Sequence, residues 1–201
     1  WMAGNAELNP VSMMRHTPPD LPRRLRPILS LDDFETRAHR HLPLSIFGYV
    51  SGGTEDNHSL RGNRAAFQSI PLHPRILRDV SARNLKTTLF GETLALPFGI
   101  APMGFSALAA FDGDVVLARA AQAAGTFALC SAASLTPLER VAQEGQSRWF
   151  QAYIPGDRDR IAALLERLRR AGFDHLVVTG DVPVASNREH NARNGFDARL
   201  K

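Results

Sequence analysis

The sequence predicts an α/β fold with parallel strands. Within that class it predicts a TIM (β/α)8 barrel, of which this chain supplies the N-terminal helices, a β-hairpin and the first four βα units. Three observations lead there. From Pro97 onward, short apolar runs (PFGIAPMG, TFALCSA, RWFQAYI and HLVV) alternate with amphipathic helical segments. The runs begin near Phe98, Thr126, Trp149 and His175, close to the spacing of a barrel that uses ~31 residues per unit. Such repetition with short loops requires parallel strands joined by right-handed crossovers. The doubly wound alternative would place a G-x-G-x-x-G turn after the first strand, and the corner APMGFSA does not contain it.

The elements follow in chain order. Residues 1–28 are rich in Pro and Arg and lack periodicity, so a flexible arm is expected, with residues 29–201 forming the half-barrel domain. Ser30 is placed to cap a helix over LDDFETRAHR. Pro43 opens a second, PLSIFGYV, closed by Gly52-Gly53, and Asn57 to Phe67 reads as a third. A hairpin is expected around Thr87–Leu96 with Gly91-Glu92 in its turn. Asp112 or Asp114 caps the helix VVLARAAQAA, which Gly125 stops. Thr136-Pro137-Leu138-Glu139 reads as a capping box opening a helix that ends at Gly145. Asp157 caps RDRIAALLERLRRA, whose Ile161, Leu164, Leu165 and Leu168 share one face, and Gly172 ends it. His175-Leu-Val-Val reads as a strand buried on both faces.

Composition removes several function classes. The net charge is +4 and the pI about 10.0, yet the arginines are interleaved with carboxylates, as in RDRIAALLERLRR, so these charges read as solvated helix faces and not as a nucleic-acid surface. A single cysteine, Cys130, excludes an intrachain disulfide and sits in an apolar run, where it packs. The histidines lack metal-ligand spacing, so no metal is expected. No run approaches the ~18 apolar residues of a membrane span, and the N-terminus lacks a signal-peptide core. A cytoplasmic location follows as an expectation.

In a barrel all strand exits share one rim. Here the exits carry Met103 with Gly104, then Ser131, then Gln151 with Tyr153, then Thr179 with Asp181. Hydroxyl, amide and phenol groups converging on one mouth suit a flat polar heterocycle, and the absence of a Ser-His-Asp or Cys-His arrangement points to binding over covalent catalysis. Gln151 and Tyr153 are two apart on one strand and face the same side. Arg188, in the loop beyond Thr179, can fold over the mouth and grip a carboxylate. Tyr49, at a helix end before Gly-Gly, reads from position alone as either a packing residue or a side chain aimed into a cleft.

Tyr49-Val-Ser-Gly-Gly-Thr-Glu-Asp, Pro97-Phe-Gly-Ile-Ala-Pro-Met-Gly, the Ser131 run with Leu138-Glu139-Arg140-Val141, Trp149-Phe-Gln-Ala-Tyr153, Val178-Thr-Gly-Asp and Asn187-Arg188-Glu189 occur in that order. Together they resemble the FMN-dependent α-hydroxy acid dehydrogenases and oxidases, which include glycolate oxidase, lactate oxidase and mandelate dehydrogenase. The resemblance implies FMN as cofactor and oxidation of a small L-2-hydroxy acid to the 2-oxo acid, with electrons passed to oxygen, quinone or another acceptor. It implies flavin contacts at Pro102, Met103 and Gly104 beside the ring and at Ser131, Gln151 and Thr179 on its polar edge. Substrate contacts are implied at Tyr49 and Arg188 for the carboxylate and at Tyr153 for the reacting hydroxyl. Met103 stands where the family usually has threonine and Gly180 where it has valine.

The family's histidine base, second arginine and flavin lysine fall beyond Lys201. The resemblance therefore implies a second half of the barrel as partner, a separate cleaved chain or a continuation of this one. It further implies a homo-oligomer, a tetramer by family, with contact at the inner face of the cell membrane through a segment after Lys201. The rivals are a β/α-barrel enzyme acting on a different phosphorylated ligand and an inactive half-barrel used for binding or assembly.

Overall fold

Apolar runs followed by helices fold back on themselves, because each helix must bury its apolar stripe against the sheet it has just left. In the computed structural model, which describes residues 21–144, 148–154, 156–181 and 184–196, this gives α1 (Asp32–His41), α2 (Leu44–Ser51), α3 (His58–Gln68), β1 (Thr87–Leu89), β2 (Glu92–Leu94), α4 (Ser106–Ala109), α5 (Gly113–Ala123), β3 (Ala128–Ser131), α6 (Leu138–Ala142), β4 (Arg148–Ala152), α7 (Arg158–Ala171), β5 (His175–Val178) and α8 (Glu189–Arg193). The strands β3, β4 and β5 pair in that order, both pairings parallel. Most of the expected arm, along with Gly145, Val182, Pro183 and Lys201, lies outside the described residues.

The first expected strand is reduced to one parallel bridge, Ile100 with Ala128. The Ile100 amide donates to the Phe127 carbonyl at 2.9 Å, and the Leu129 amide donates to the Ile100 carbonyl at 3.0 Å. Pro97 and Pro102 have no N–H to extend the ladder. Gly99 packs so tightly that a Cβ there would lie 2.6 Å from the Phe127 carbonyl oxygen.

The core forms where α5, α6 and α7 cover one face of the sheet, around Val115, Cys130, Val141, Phe150 and Leu168. Asp157 caps α7 as expected, its Oδ1 accepting from the amides of Asp159 at 2.9 Å and Arg160 at 3.0 Å. Gly172 ends the helix at φ +82°. Leu168 is buried, whereas Leu165 is 45% exposed and sits off the packed stripe.

Three expected helix caps are corrected. Ser30 does not cap α1; instead Asp33 accepts from the amides of Leu29 at 2.7 Å and Ser30 at 2.8 Å, which holds its carboxyl below the usual range. Neither Asp112 nor Asp114 makes a capping bond to α5: Asp112 flanks the helix in the left-handed region, and Asp114 lies within its first turn. The capping box at Thr136 does not form, because α6 starts after Pro137 without a side-chain cap. Its Glu139 carboxylate instead receives two bonds from Arg167, at 2.6 and 2.9 Å.

The hairpin turns one residue earlier than expected. Phe90 (φ +48°) and Gly91 (φ +85°) form the two-residue corner, closed by the Leu89–Glu92 pair. That register places the Phe90 ring 5.4 Å from Trp149 and 5.5 Å from His175. Trp149 in turn stacks on His175 at 4.3 Å and on Phe127 at 4.7 Å. These aromatics close the end of the sheet opposite its polar exits.

Within the described residues alone the fourth expected strand is not covered on both faces. Along β5 burial alternates, and Val178 is 57% exposed. It is the edge strand of the described sheet, and among the described residues no further strand pairs with it.

Candidate functional site

Parallel register brings the carboxyl ends of neighbouring strands to one level. Ser131 lies opposite Gln151, Gln151 lies opposite Val177, and the Thr179 amide donates to the Ala152 carbonyl at 3.0 Å. The three polar side chains at these exits form one chain of hydrogen bonds. The Ser131 hydroxyl donates to Gln151 Oε1 at 3.3 Å, and Gln151 Nε2 donates to Thr179 Oγ1 at 2.7 Å. The Ala132 amide also donates to Gln151 Oε1, at 3.3 Å. Ser131 and Gln151 are 5% and 4% exposed, so both are buried polar groups whose bonds are satisfied locally.

The turn after β3 is braced from beneath by Asp114. This buried carboxylate accepts from the Ser134 hydroxyl at 2.8 Å, and Ser134 Oγ accepts from the Thr136 amide at 3.0 Å. Cys130, beside Ser131, has its thiol pushed up to about 12 by burial, with Asp114 and Glu139 adding to the effect. It packs and is no nucleophile.

The corner Pro102-Met103-Gly104 adjoins this turn. The Phe105 amide donates to the Ala133 carbonyl at 3.0 Å, and a Cβ on Gly104 would meet the Ala133 Cβ at 3.0 Å. Pro102 is half-buried and Met103 exposed.

Tyr49 and Arg188 meet on the far side of that corner. One Arg188 nitrogen donates to the carbonyls of Tyr49 and, at 2.9 Å, Gly52. A guanidinium suits these carbonyls because they lie at the negative end of α2. The guanidinium carbon stands 4.7 Å from the centre of the Tyr49 ring, a cation–π geometry. Phe196 stacks on Tyr49 at 4.3 Å, and Phe105 meets it edge-on at 6.0 Å. Tyr49, Met103, Gly104 and Arg188 all line one cavity of about 480 Å³.

Two groups of expected residues are therefore each brought together: Ser131 with Gln151 and Thr179, and Tyr49 with Met103, Gly104 and Arg188. Tyr153 joins neither. It is 54% exposed beyond the end of β4 and makes no hydrogen bond among the described residues. Reading the sequence alone missed the clasp that seats Arg188. Asn57 Nδ2 donates to His190 Nε2 at 2.9 Å, the Glu55 amide donates to the Asn187 carbonyl at 3.0 Å, and Gly48 lies against Asn194. The available signal was Gly48, a glycine inside an apolar helix, where its presence costs stability unless another chain segment approaches closely.

The neutral donors and acceptors of Ser131, Gln151 and Thr179 fit the polar edge of an isoalloxazine, which presents carbonyl oxygens and ring nitrogens in alternation. Residues 38–201 match the family model described as FMN-dependent dehydrogenase. The chain belongs to this family. Similar proteins include an L-lactate oxidase of Nostoc sp., 42% identical over 173 residues, covering 84% of this chain and 47% of the relative. Human 2-hydroxyacid oxidase 2 is 42% identical over 179 residues, covering 86% of this chain and 50% of the relative. Among solved structures, the soluble mutant of the membrane-associated (S)-mandelate dehydrogenase from Pseudomonas putida superposes with a TM-score of 0.80 at 32% identity. The match covers 85% of this chain and 49% of that one.

The chain thus spans about half the length of the curated relatives it matches. Within the FMN-dependent dehydrogenase fold it carries the N-terminal part of the TIM barrel. Among the described residues no helix is long and apolar enough to cross a membrane.

Proposed function

We propose that this chain forms the flavin-edge and carboxylate-binding part of an enzyme that oxidises an L-2-hydroxy acid to the 2-oxo acid. The observation that carries the reading is the hydrogen-bonded row Ser131–Gln151–Thr179 at the ends of adjacent parallel strands. The names of the relatives, L-lactate oxidase and 2-hydroxyacid oxidase 2, support the substrate class. FMN, when bound, supplies the two-electron acceptor.

In this reading Ser131, Gln151 and Thr179 hold the flavin's polar edge, and Pro102, Met103 and Gly104 lie beside its ring. Arg188 binds the substrate carboxylate with the donors not engaged by the Tyr49 and Gly52 carbonyls. Tyr49, held between Arg188 and Phe196, presents its phenol to the same carboxylate. Tyr153, two residues beyond Gln151 on the same side of the strand, takes the reacting hydroxyl. The proton acceptor belongs to residues outside those described.

The test is the absorption spectrum of the full-length protein, followed by anaerobic bleaching with a panel of L-2-hydroxy acids. Flavin bands that bleach with at least one acid are expected. A protein without flavin absorbance would instead favour a barrel enzyme for another phosphorylated ligand. Arg188→Met removes a charged hydrogen-bond donor worth about 1.5–3 kcal/mol, so bleaching should need roughly 10- to 150-fold more acid while flavin stays bound. Loss of flavin from that variant would refute the role.

The second half of the barrel is proposed as the partner of β5, whose edge is unpaired within the described sheet and whose Leu176 and Val178 are exposed. A homotetramer and a cytoplasmic location with peripheral contact at the membrane's inner face complete the proposal. Support for the membrane contact is that a solved relative, (S)-mandelate dehydrogenase, is a monotopic membrane protein. Light scattering and vesicle co-sedimentation test the two points.

A further inference from the structure

We infer that the substrate carries an extended apolar side chain, a linear alkyl group of several carbons or an aryl group, and that this chain buries it beside Tyr49 and Arg188. The inference rests on the 2-hydroxy acid reading and narrows it. The cavity shared by Tyr49, Met103, Gly104 and Arg188 has about 480 Å³, and beyond those four residues its wall is apolar apart from the Ser106 hydroxyl, which has no hydrogen-bond partner among the described residues. Ile46 and Val50 come from α2, Leu108 from α4, and Val116 and Leu117 from α5. Arg188 is the charged side chain on its lining. An acid whose carboxylate rests on that guanidinium can therefore bury a side chain against this wall.

Size argues in the same direction. Cavities of 300–1,000 Å³ accommodate drug-sized ligands, so a methyl or a hydrogen would leave most of this space unfilled. An apolar tail gains about fourfold in affinity for each methylene it buries, whereas a charged tail would find among Ile46, Val50, Leu108, Val116 and Ser106 a single hydroxyl to pair with.

Two measurements on the full-length, flavin-containing protein test this. The first is kcat/KM across glycolate, L-lactate, L-2-hydroxyhexanoate, L-2-hydroxyoctanoate and L-mandelate. The second is equilibrium binding of the unreactive carboxylates acetate, butanoate, hexanoate and octanoate, read from the flavin spectrum. The expected result is a rise of at least tenfold in kcat/KM from L-lactate to the six- and eight-carbon acids or to mandelate. Hexanoate should likewise bind at least tenfold tighter than acetate.

Val116→Trp fills the cavity from a half-exposed wall position, and its flavin content and melting temperature check the fold. It should cut the ratio of long-chain to lactate kcat/KM at least tenfold. Fast turnover of lactate or glycolate with flat or falling values for larger acids overturns the inference and leaves the 2-hydroxy acid reading standing. An unchanged ratio in Val116→Trp also overturns it. Failure of every acid to bleach the flavin overturns the parent reading instead.

Discussion

Replacing Gln151 by leucine tests the row of exit residues most directly. Leucine is close to glutamine in volume and lacks its polar atoms, so the change deletes three hydrogen bonds: two into Oε1 at 3.3 Å and one from Nε2 at 2.7 Å. Deleting one partner costs about 1–3 kcal/mol for each buried group left unpaired. The groups left behind are not all stranded, however. Ser131 Oγ keeps the Ala133 amide at 3.1 Å, Ala132 is exposed, and Thr179 is half-buried and can reach water. The flavin-free fold should therefore lose only about 1 kcal/mol, a melting shift of roughly 2–4 °C.

Flavin affinity should fall further. The amide contact to the ring edge disappears, and Ser131 and Thr179 lose the group that aligns them, together about 1–3 kcal/mol or roughly 5- to 150-fold in Kd. Titration of flavin-free protein with FMN, followed by flavin fluorescence, measures it. A double-mutant cycle with Thr179→Val should return a coupling of about 0.5–3 kcal/mol. An FMN Kd within twofold of wild type, alongside a lowered melting temperature, would refute the reasoning and leave Gln151 a structural residue.

Gly99→Ala drives a Cβ to 2.6 Å from the Phe127 carbonyl oxygen. It should cost about 1–3 kcal/mol and speed hydrogen exchange at the Leu129 amide, which bonds the Ile100 carbonyl. Asp157→Ala removes the acceptor for two amides of α7, with an expected loss of about 1 kcal/mol in urea unfolding that Asp157→Asn largely restores. The Cys130 thiol should resist alkylation at pH 8 in the native protein and react once denatured. Burial favours the neutral thiol, so its folded value of about 12 lies above the ordinary 9.0. Its contribution to stability is full below pH 9.0 and is lost as pH rises toward about 12. Cys130→Ala should flatten that alkaline decline in urea midpoint.

Much of the candidate site's geometry was legible along the chain because strand exits obey a local rule. A buried strand that turns polar at its carboxyl end marks the rim whatever the rest of the molecule does, and Ser131, Gln151 and Thr179 follow it. Caps were less legible. Asp157 caps α7 because no cation among the described residues bonds its carboxylate, whereas Glu139, which should have closed a capping box, is drawn to Arg167 on the neighbouring helix. The hairpin shifted for a similar reason: Phe90 tolerates a left-handed backbone because its ring then covers Trp149 and His175.

By itself the order of apolar runs, glycine stops and polar exits determined the parallel strand–helix repeat and the level at which Ser131, Gln151 and Thr179 stand, while the resemblance to the family was carried by the ordered motifs. Those properties arise from periodicity and backbone chemistry within a few residues. Only the tertiary structure decided where Arg188 points and what holds Tyr49. These depend on contacts between segments more than a hundred residues apart, such as the bond from Asn57 to His190 and that from Arg188 to the Gly52 carbonyl. No local pattern records which carbonyls a distant guanidinium will find, because folding chooses them by packing α8 against α2.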